Sequence, residues 1–132
     1  MMQENTNEFM QFTYLCLEEA VQRVCDEELA HEMLIMLNSS IDNDWSEFEK
    51  YSSANQYTLA ANILHGMKGT IPIFSDKKTE EVILKTESLL LRPTNETELK
   101  KVLLELRFQM LGFISELKVW VKMQNESPFE PT

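Results

Sequence analysis

Glycine occurs three times and proline four times in 132 residues, too little turn chemistry for a many-stranded β fold. Positive charge is scarce as well: 12 Lys and Arg stand against 22 Asp and Glu, a formal charge of −10. A field of that sign repels phosphate backbones and anionic lipid, so neither nucleic acid nor direct membrane contact is expected. No apolar run approaches the ~18 residues that cross a bilayer. The start, Met1-Met2-Gln3-Glu4-Asn5, lacks the basic and apolar regions of a signal peptide. There are two cysteines and two histidines, with no CxxC and no His/Cys cluster, so no bound metal is expected. The patterns GxxxxGK(S/T), GxSxG, GxGxxG and HExxH are all missing, which removes most enzyme classes readable from short motifs.

What is present is enough to fold. Apolar residues make up 43% of the chain, too many for a disordered segment, and the length suits one domain. The expected setting is a soluble domain in the cytoplasm. Cys16 and Cys25 stand nine apart in what reads as one helix; at ~100° per residue they face opposite ways and cannot bond. Two buried thiols in a reducing compartment are the expectation. Glu28-Leu29-Ala30-His31 has the Glu-x-x-His spacing of di-iron bundles, but His65 has Asn62 at the matching position. His31 therefore reads as an ordinary helix-surface residue.

Hydrophobic spacing divides the chain into amphipathic helices. Met10, Tyr14, Leu17, Val21 and Val24 mark a first helix; Leu29, Met33, Leu37, Ile41, Trp45 and Phe48 mark a second, capped by Asp26. Met33, Met36 and Met67 read as core positions. Tyr57, Ala60, Leu64, Met67, Ile71 and Phe74 form a third stripe, with Pro72 expected to kink or end that helix. Val82, Thr86, Leu89 and Leu90 give a fourth helix opened by Thr79. Leu99, Val102, Leu103, Leu106, Met110, Phe113, Leu117 and Trp120 give a fifth, opened by Thr94 or Thr97. Gly112 within it suits the close approach of a neighbouring helix. Short loops between long helices predict an all-α fold, an antiparallel up-down four-helix bundle with an additional N-terminal helix packed across one end. The expected domain spans 1–124, its first helix at about 6–24 and its bundle at about 27–123, before a flexible tail at 125–132.

One segment departs from this background: Ala61-Asn62-Ile63-Leu64-His65-Gly66-Met67-Lys68-Gly69-Thr70. His65 points roughly 130° away from the third helix's apolar stripe, and Lys68 lies on the flank beside it. Ala61 and Gly69, at i−4 and i+4, are both small, and Gly66 adjoins. Two glycines in a helix cost ~1 kcal/mol each relative to alanine, so helix stability does not call for them. A bare surface lets another protein or a transferred group reach the imidazole. Neutral imidazole is a nucleophile and an ammonium offsets arriving negative charge; phosphoryl transfer asks little more than such positioning. A lone exposed His beside a Lys is also what plain solvated surface looks like, and the two glycines are what distinguish this one.

His65-Gly66-Met67-Lys68-Gly69 resembles the His-x-(Leu/Met)-Lys-Gly signature of histidine-containing phosphotransfer (HPt) domains, helical bundles that relay phosphate between receiver-domain aspartates. The likeness extends over roughly Glu27 to Val121: a long helix, a polar break, the His-bearing helix, and Glu87 in the next helix where the family often has Glu. The resemblance implies that His65 accepts phosphate through Nε2, that Lys68 offsets its charge, and that Gly69 leaves room for the incoming receiver. Leu64 and Met67 match core positions of that helix. Thr58, Ala61, Asn62 and Pro72 are the further candidates for contact with a partner. Ile71-Pro72-Ile73-Phe74 is bulkier than the family's usual small-residue run, with Ser75 where a glycine is common, which alters the local docking surface.

The expected function is thus a phosphorelay intermediate without autonomous ATP-dependent kinase activity. Receiver domains are the implied partners. The domain itself would bind no cofactor, since the receiver would supply Mg²⁺ and the acidic pocket. It would act as a monomer, free-standing or as the cytoplasmic end of a membrane-bound sensor kinase with the histidine kinase in the same polypeptide. The alternative is a non-phosphorylated helical adaptor that binds a receiver or another signalling protein.

Overall fold

The structure, a computed structural model, describes residues 12–125. Among them are six helices: α1 (Leu17–Val24), α2 (Glu27–Ser53), α3 (Tyr57–Lys68), α4 (Ile71–Phe74), α5 (Lys77–Leu91) and α6 (Glu96–Asn125). The described residues contain no strand, only an isolated antiparallel bridge between Leu15 and Ser75. The fold is all-helical. No described helix is long and apolar enough to cross a membrane. The expected segments 6–11 and 126–132, and Met10 of the first stripe, lie outside the described residues.

Local chemistry sets three of the six described helix starts. Asp26 accepts from the Leu29 N–H and caps α2, with Glu27 and Glu28 in the first turn complementing the helix dipole. Asp76, and not Thr79, opens α5: its carboxylate accepts from the Thr79 N–H and hydroxyl. Asn95 does the same for α6 through the Glu98 N–H, in place of Thr94 or Thr97. Both corrections have one cause. Each capping acceptor stands three residues before the amide it binds, and Thr79 is the recipient of the cap.

Helix α3 packs on α2 and α5, α6 packs on α5 and α2, and α1 lies against α4 and α2. Leu34, Ile41 and Phe48 from α2, Leu64 from α3, Ile83 and Leu90 from α5, and Leu106, Met110 and Phe113 from α6 meet in one core. Burying each contributes on the order of 1.5–3 kcal/mol. The N-terminal half of α2 is rotated from expectation, burying Ala30 and Leu34 while Leu29 is 45% exposed and Met36 68% exposed.

The expected first helix is shorter. Residues 12–16 are not helical, because tertiary partners take their backbone. Glu116 on α6 accepts from the N–H groups of Thr13, Tyr14 and Leu15 at 2.9, 2.7 and 2.9 Å. Cys16 N–H donates to the Phe74 carbonyl, and Asp76 N–H to that of Tyr14. The Tyr14 ring lies where a Cβ on Gly112 would stand, so Gly112 admits a strap rather than a helix. Cys16 and Cys25 sit at the two ends of α1, Cys16 half-buried and Cys25 exposed. The expectation of two buried thiols fails because the helix begins after the first and ends before the second.

Candidate functional site

Helix α3 buries Ala60, Ala61, Leu64 and Met67, held between α2 and α5. That leaves Thr58, Asn62, His65 and Gly66 on the exposed side. The His65 side chain is 69% exposed. Ala61 belongs to the core at 1% exposure, which removes it from the surface candidates. Because α3 is flanked on both sides, its buried arc is wider than one stripe, and a residue at i−4 from His65 falls within it.

The third stripe does not run on as one helix. Helix α3 ends at Lys68, Gly69 is its C-terminal cap, and Thr70 joins it to the single turn of α4. Gly69 is therefore at a helix end and not within a helix. Pro72 sits in the first turn of α4, where a missing N–H leaves no bond unmade. It is half-buried, and its carbonyl, with that of Ile73, accepts from the Arg23 guanidinium at 2.7 and 2.9 Å.

Neither glycine near His65 is required by the chain. No described glycine has positive φ. A Cβ on Gly66 would meet nothing within 4 Å, and one on Gly69 would meet only the Gly66 carbonyl oxygen at 3.5 Å, an ordinary contact. The surface beside the imidazole is bare although a side chain would fit.

The segment from Ala54 to Ser75 has no carboxylate of its own, and tertiary packing supplies one. Glu87 lies on the buried side of α5 with Ile83, Thr86 and Leu90, its side chain 12% exposed. One carboxylate oxygen is 2.9 Å from His65 Nδ1 and the other accepts from Lys68 Nζ at 2.8 Å. The Lys68 hydrogen bond holds the Glu87 carboxyl below the usual carboxylate range. Burial opposes that shift, and the His65 hydrogen bond and the positive charge of Lys68 reinforce it.

The tautomer follows from that charge. An ionised carboxylate only accepts hydrogen bonds, so Nδ1 must carry the proton shared with Glu87. In a neutral ring the lone pair then resides on Nε2, which has no hydrogen-bond partner among the described residues. The arrangement is an exposed imidazole with its nucleophilic nitrogen outward and its other nitrogen fixed by a buried anion. Lys68, 31% exposed, is tied to the same anion. Sequence reasoning noted Glu87 only by position; the signal that could have assigned its role was a buried-face acid in the helix after a site stripped of acids.

His31 is half-buried, its ring edge-on to Trp120 at 5.1 Å and its Nε2 3.9 Å from Glu27. Among the described residues no group of three or more His, Cys, Asp or Glu is placed to hold a metal ion. The chain matches no protein-family model, no curated protein and no solved structure at a significant level.

Proposed function

We propose that the chain is a phosphorelay intermediate of the histidine-containing phosphotransfer type, accepting a phosphoryl group on His65 from a receiver-domain aspartate and passing it to another receiver. The observation that carries this reading is the His65 imidazole, exposed at Nε2 and bound at Nδ1 to the buried Glu87 carboxylate.

In the forward step the Nε2 lone pair attacks phosphorus of the aspartyl phosphate. The bond between phosphorus and the aspartyl oxygen breaks, the aspartate leaves as a carboxylate, and an Nε2–P bond forms. No proton has to move. The ring becomes an N-phosphoryl imidazolium whose Nδ1–H remains on Glu87, so the positive charge that develops is met by a fixed negative one. The ammonium of Lys68 offsets the charge of the phosphoryl oxygens. The reverse step delivers the group to the second receiver, and the receivers supply Mg²⁺. Gly66 and Gly69 let the receiver approach, with Thr58, Asn62 and Pro72 around them.

With this role goes a finer architecture: an antiparallel up-down bundle of α2, α3, α5 and α6, with α1 across one end. Its support is the cyclic packing of α2 on α3, α3 on α5, α5 on α6 and α6 on α2, together with short connections between them. A monomer in the cytoplasm fits that reading.

The test is incubation with an aspartyl-phosphorylated receiver. The expected product carries one phosphoryl group, labile to acid and stable to base, and His65→Gln carries none. Labelling of His65→Gln equal to wild type, or no labelling of wild type by any receiver of its host, overturns the proposal; the second result leaves a helical adaptor.

A further inference from the structure

The outer face of α6 carries an apolar strip that the described residues leave largely open. Leu104, Phe108 and Leu111 stand at i, i+4 and i+7 on one side of the helix, and are 68%, 67% and 46% exposed. Exposed apolar side chains grouped in this way mark a contact surface. One edge of the strip is already occupied: the Tyr14 ring meets Phe108 edge-on, with centroids 6.2 Å apart. Lys100 and Lys101 continue the same side one turn back, both exposed. Neither has a partner among the described residues, and the Glu105 carboxylate, a turn on from Lys101, makes no ion pair with it. Arg107, beside the strip, is tied to Glu49 at 3.4 Å.

Size, reach and charge together select an occupant. Three partly exposed side chains fall short of the ~800 Å² per partner that holds separate chains together. A tethered segment needs less, because its effective concentration is on the order of mM. Such a segment begins beside the strip. Eleven residues precede the described ones, and they lead into Thr13, whose N–H is held by Glu116 on the same helix. At a rise of ~1.5 Å per residue, Leu111 lies ~8 Å along α6 from Glu116, Phe108 ~12 Å and Lys100 ~24 Å. A chain spans up to ~3.3 Å per residue. Met10 therefore reaches the level of Leu111, Phe9 that of Phe108, and Glu4 that of Lys100 and Lys101. Residues 1–11 hold Glu4 and Glu8 and neither Lys nor Arg, the charge that the two lysines call for.

We infer that the outer face of α6 is the docking surface for this chain's own residues 3–10. Phe9 and Met10 lie against Phe108 and Leu111, the stretch before them passes Leu104, and Glu4 stands beside Lys100 and Lys101. The segment extends the cover that Tyr14 starts. The surface shares no residue with His65, Lys68 or Glu87, so it stands or falls independently of phosphotransfer.

The experiment is NMR of the full chain in dilute solution, paired with limited proteolysis. Cross-relaxation is expected from the Phe9 ring and the Met10 methyl to the Phe108 ring and the Leu111 methyls. A glutamate-specific protease, followed by peptide mass, is expected to cut slowly after Glu8. Leu104→Gln with Leu111→Gln, which leaves the contact between Tyr14 and Phe108 in place, is expected to speed that cut roughly tenfold. Lys100→Gln with Lys101→Gln is expected to speed it about twofold, as suits exposed ion pairs. All four positions are exposed, so both variants are expected to fold, and unmoved methyl resonances of the buried Leu64 and Ile83 check that they do. The inference is overturned by the absence of contacts from Phe9 and Met10 to α6, or by a cleavage rate unchanged in either variant. Protection that grows with protein concentration also overturns it, since a second copy then occupies the strip.

Discussion

Replacing Glu87 with glutamine separates the two things this carboxylate does. The substitution keeps the shape and an acceptor oxygen, and removes the charge that binds both His65 Nδ1 and Lys68 Nζ, at 2.9 and 2.8 Å. Hydrogen bonds to charged groups contribute ~1.5–3 kcal/mol each. His65 and Lys68 are 69% and 31% exposed, so water takes up most of what is lost and the net stability cost falls to about 1 kcal/mol. Reactivity differs from stability here, because positive charge develops on the ring as Nε2 attacks. If one charge-assisted bond of ~1.5–3 kcal/mol is then missing, the rate falls roughly 10- to 160-fold. The assay is a quenched time course of phosphoryl transfer from a pre-labelled receiver, alongside nitrogen NMR of the His65 tautomer. Wild type is expected in the Nδ1–H form, and Glu87→Gln, whose amide both donates and accepts, as a mixture. The stability term carries its own sign. Lys68 first of all, then His65, depress the Glu87 carboxyl, so the unfolded chain takes up that proton at a higher pH than the folded one. The advantage of wild type over Glu87→Gln is therefore complete above the ordinary carboxylate range and is lost as pH falls through it toward the folded value. Transfer by Glu87→Gln within twofold of wild type, with the tautomer unchanged, refutes the assignment.

The glycines beside His65 give the opposite pairing of effects. Gly66→Ala meets no atom within 4 Å and is expected to raise stability by ~1 kcal/mol while slowing phosphotransfer; a thermal melt and the same time course check both halves, and unimpaired transfer counts against steric access. Gly112→Ala drives a Cβ into the Tyr14 ring, 2.8 Å from its Cζ, and should cost ~1–3 kcal/mol. Hydrogen exchange at Thr13, Tyr14 and Leu15 is expected to accelerate with it, and unaltered exchange contradicts the strap. For the cysteines, burial first and then the charges of Glu19 and Asp76 raise the Cys16 thiol, whereas Cys25 is exposed. A maleimide near neutral pH should label Cys25 well before Cys16, as followed by peptide mass, and equal rates contradict that environment.

Helix existence was legible because it rests on near-neighbour chemistry. The apolar spacing of Leu37, Ile41, Trp45 and Phe48, the cap at Asp26, and the outward angle of His65 all follow from residues within a turn or two of each other. What escaped that reasoning depended on partners far along the chain. Tyr14 continues the apolar stripe at helical spacing, yet Glu116, 101 to 103 positions away, takes the N–H groups of Thr13, Tyr14 and Leu15, and residues 12–16 are not helical. Ala61 looked like cleared surface from the register of α3 alone, and became core because α5 packs on that side as α2 does on the other. The α2 stripe drifted from Leu29 and Met33 to Ala30 and Leu34 for a similar reason, since the tightest neighbour sets the face.

The sequence by itself determined an acidic, all-helical chain with one exposed histidine on ground cleared of bulk and of acids, because composition and a 3.6-residue period need no partner to act. Only the tertiary structure decided how that histidine is oriented and which tautomer it holds. An α5 carboxylate, invisible to any local pattern around His65, arrives between imidazole and ammonium and selects which ring nitrogen faces out. The cause is packing: α3 and α5 lie together, and the Glu87 side chain, 12% exposed, is held where the two helices meet.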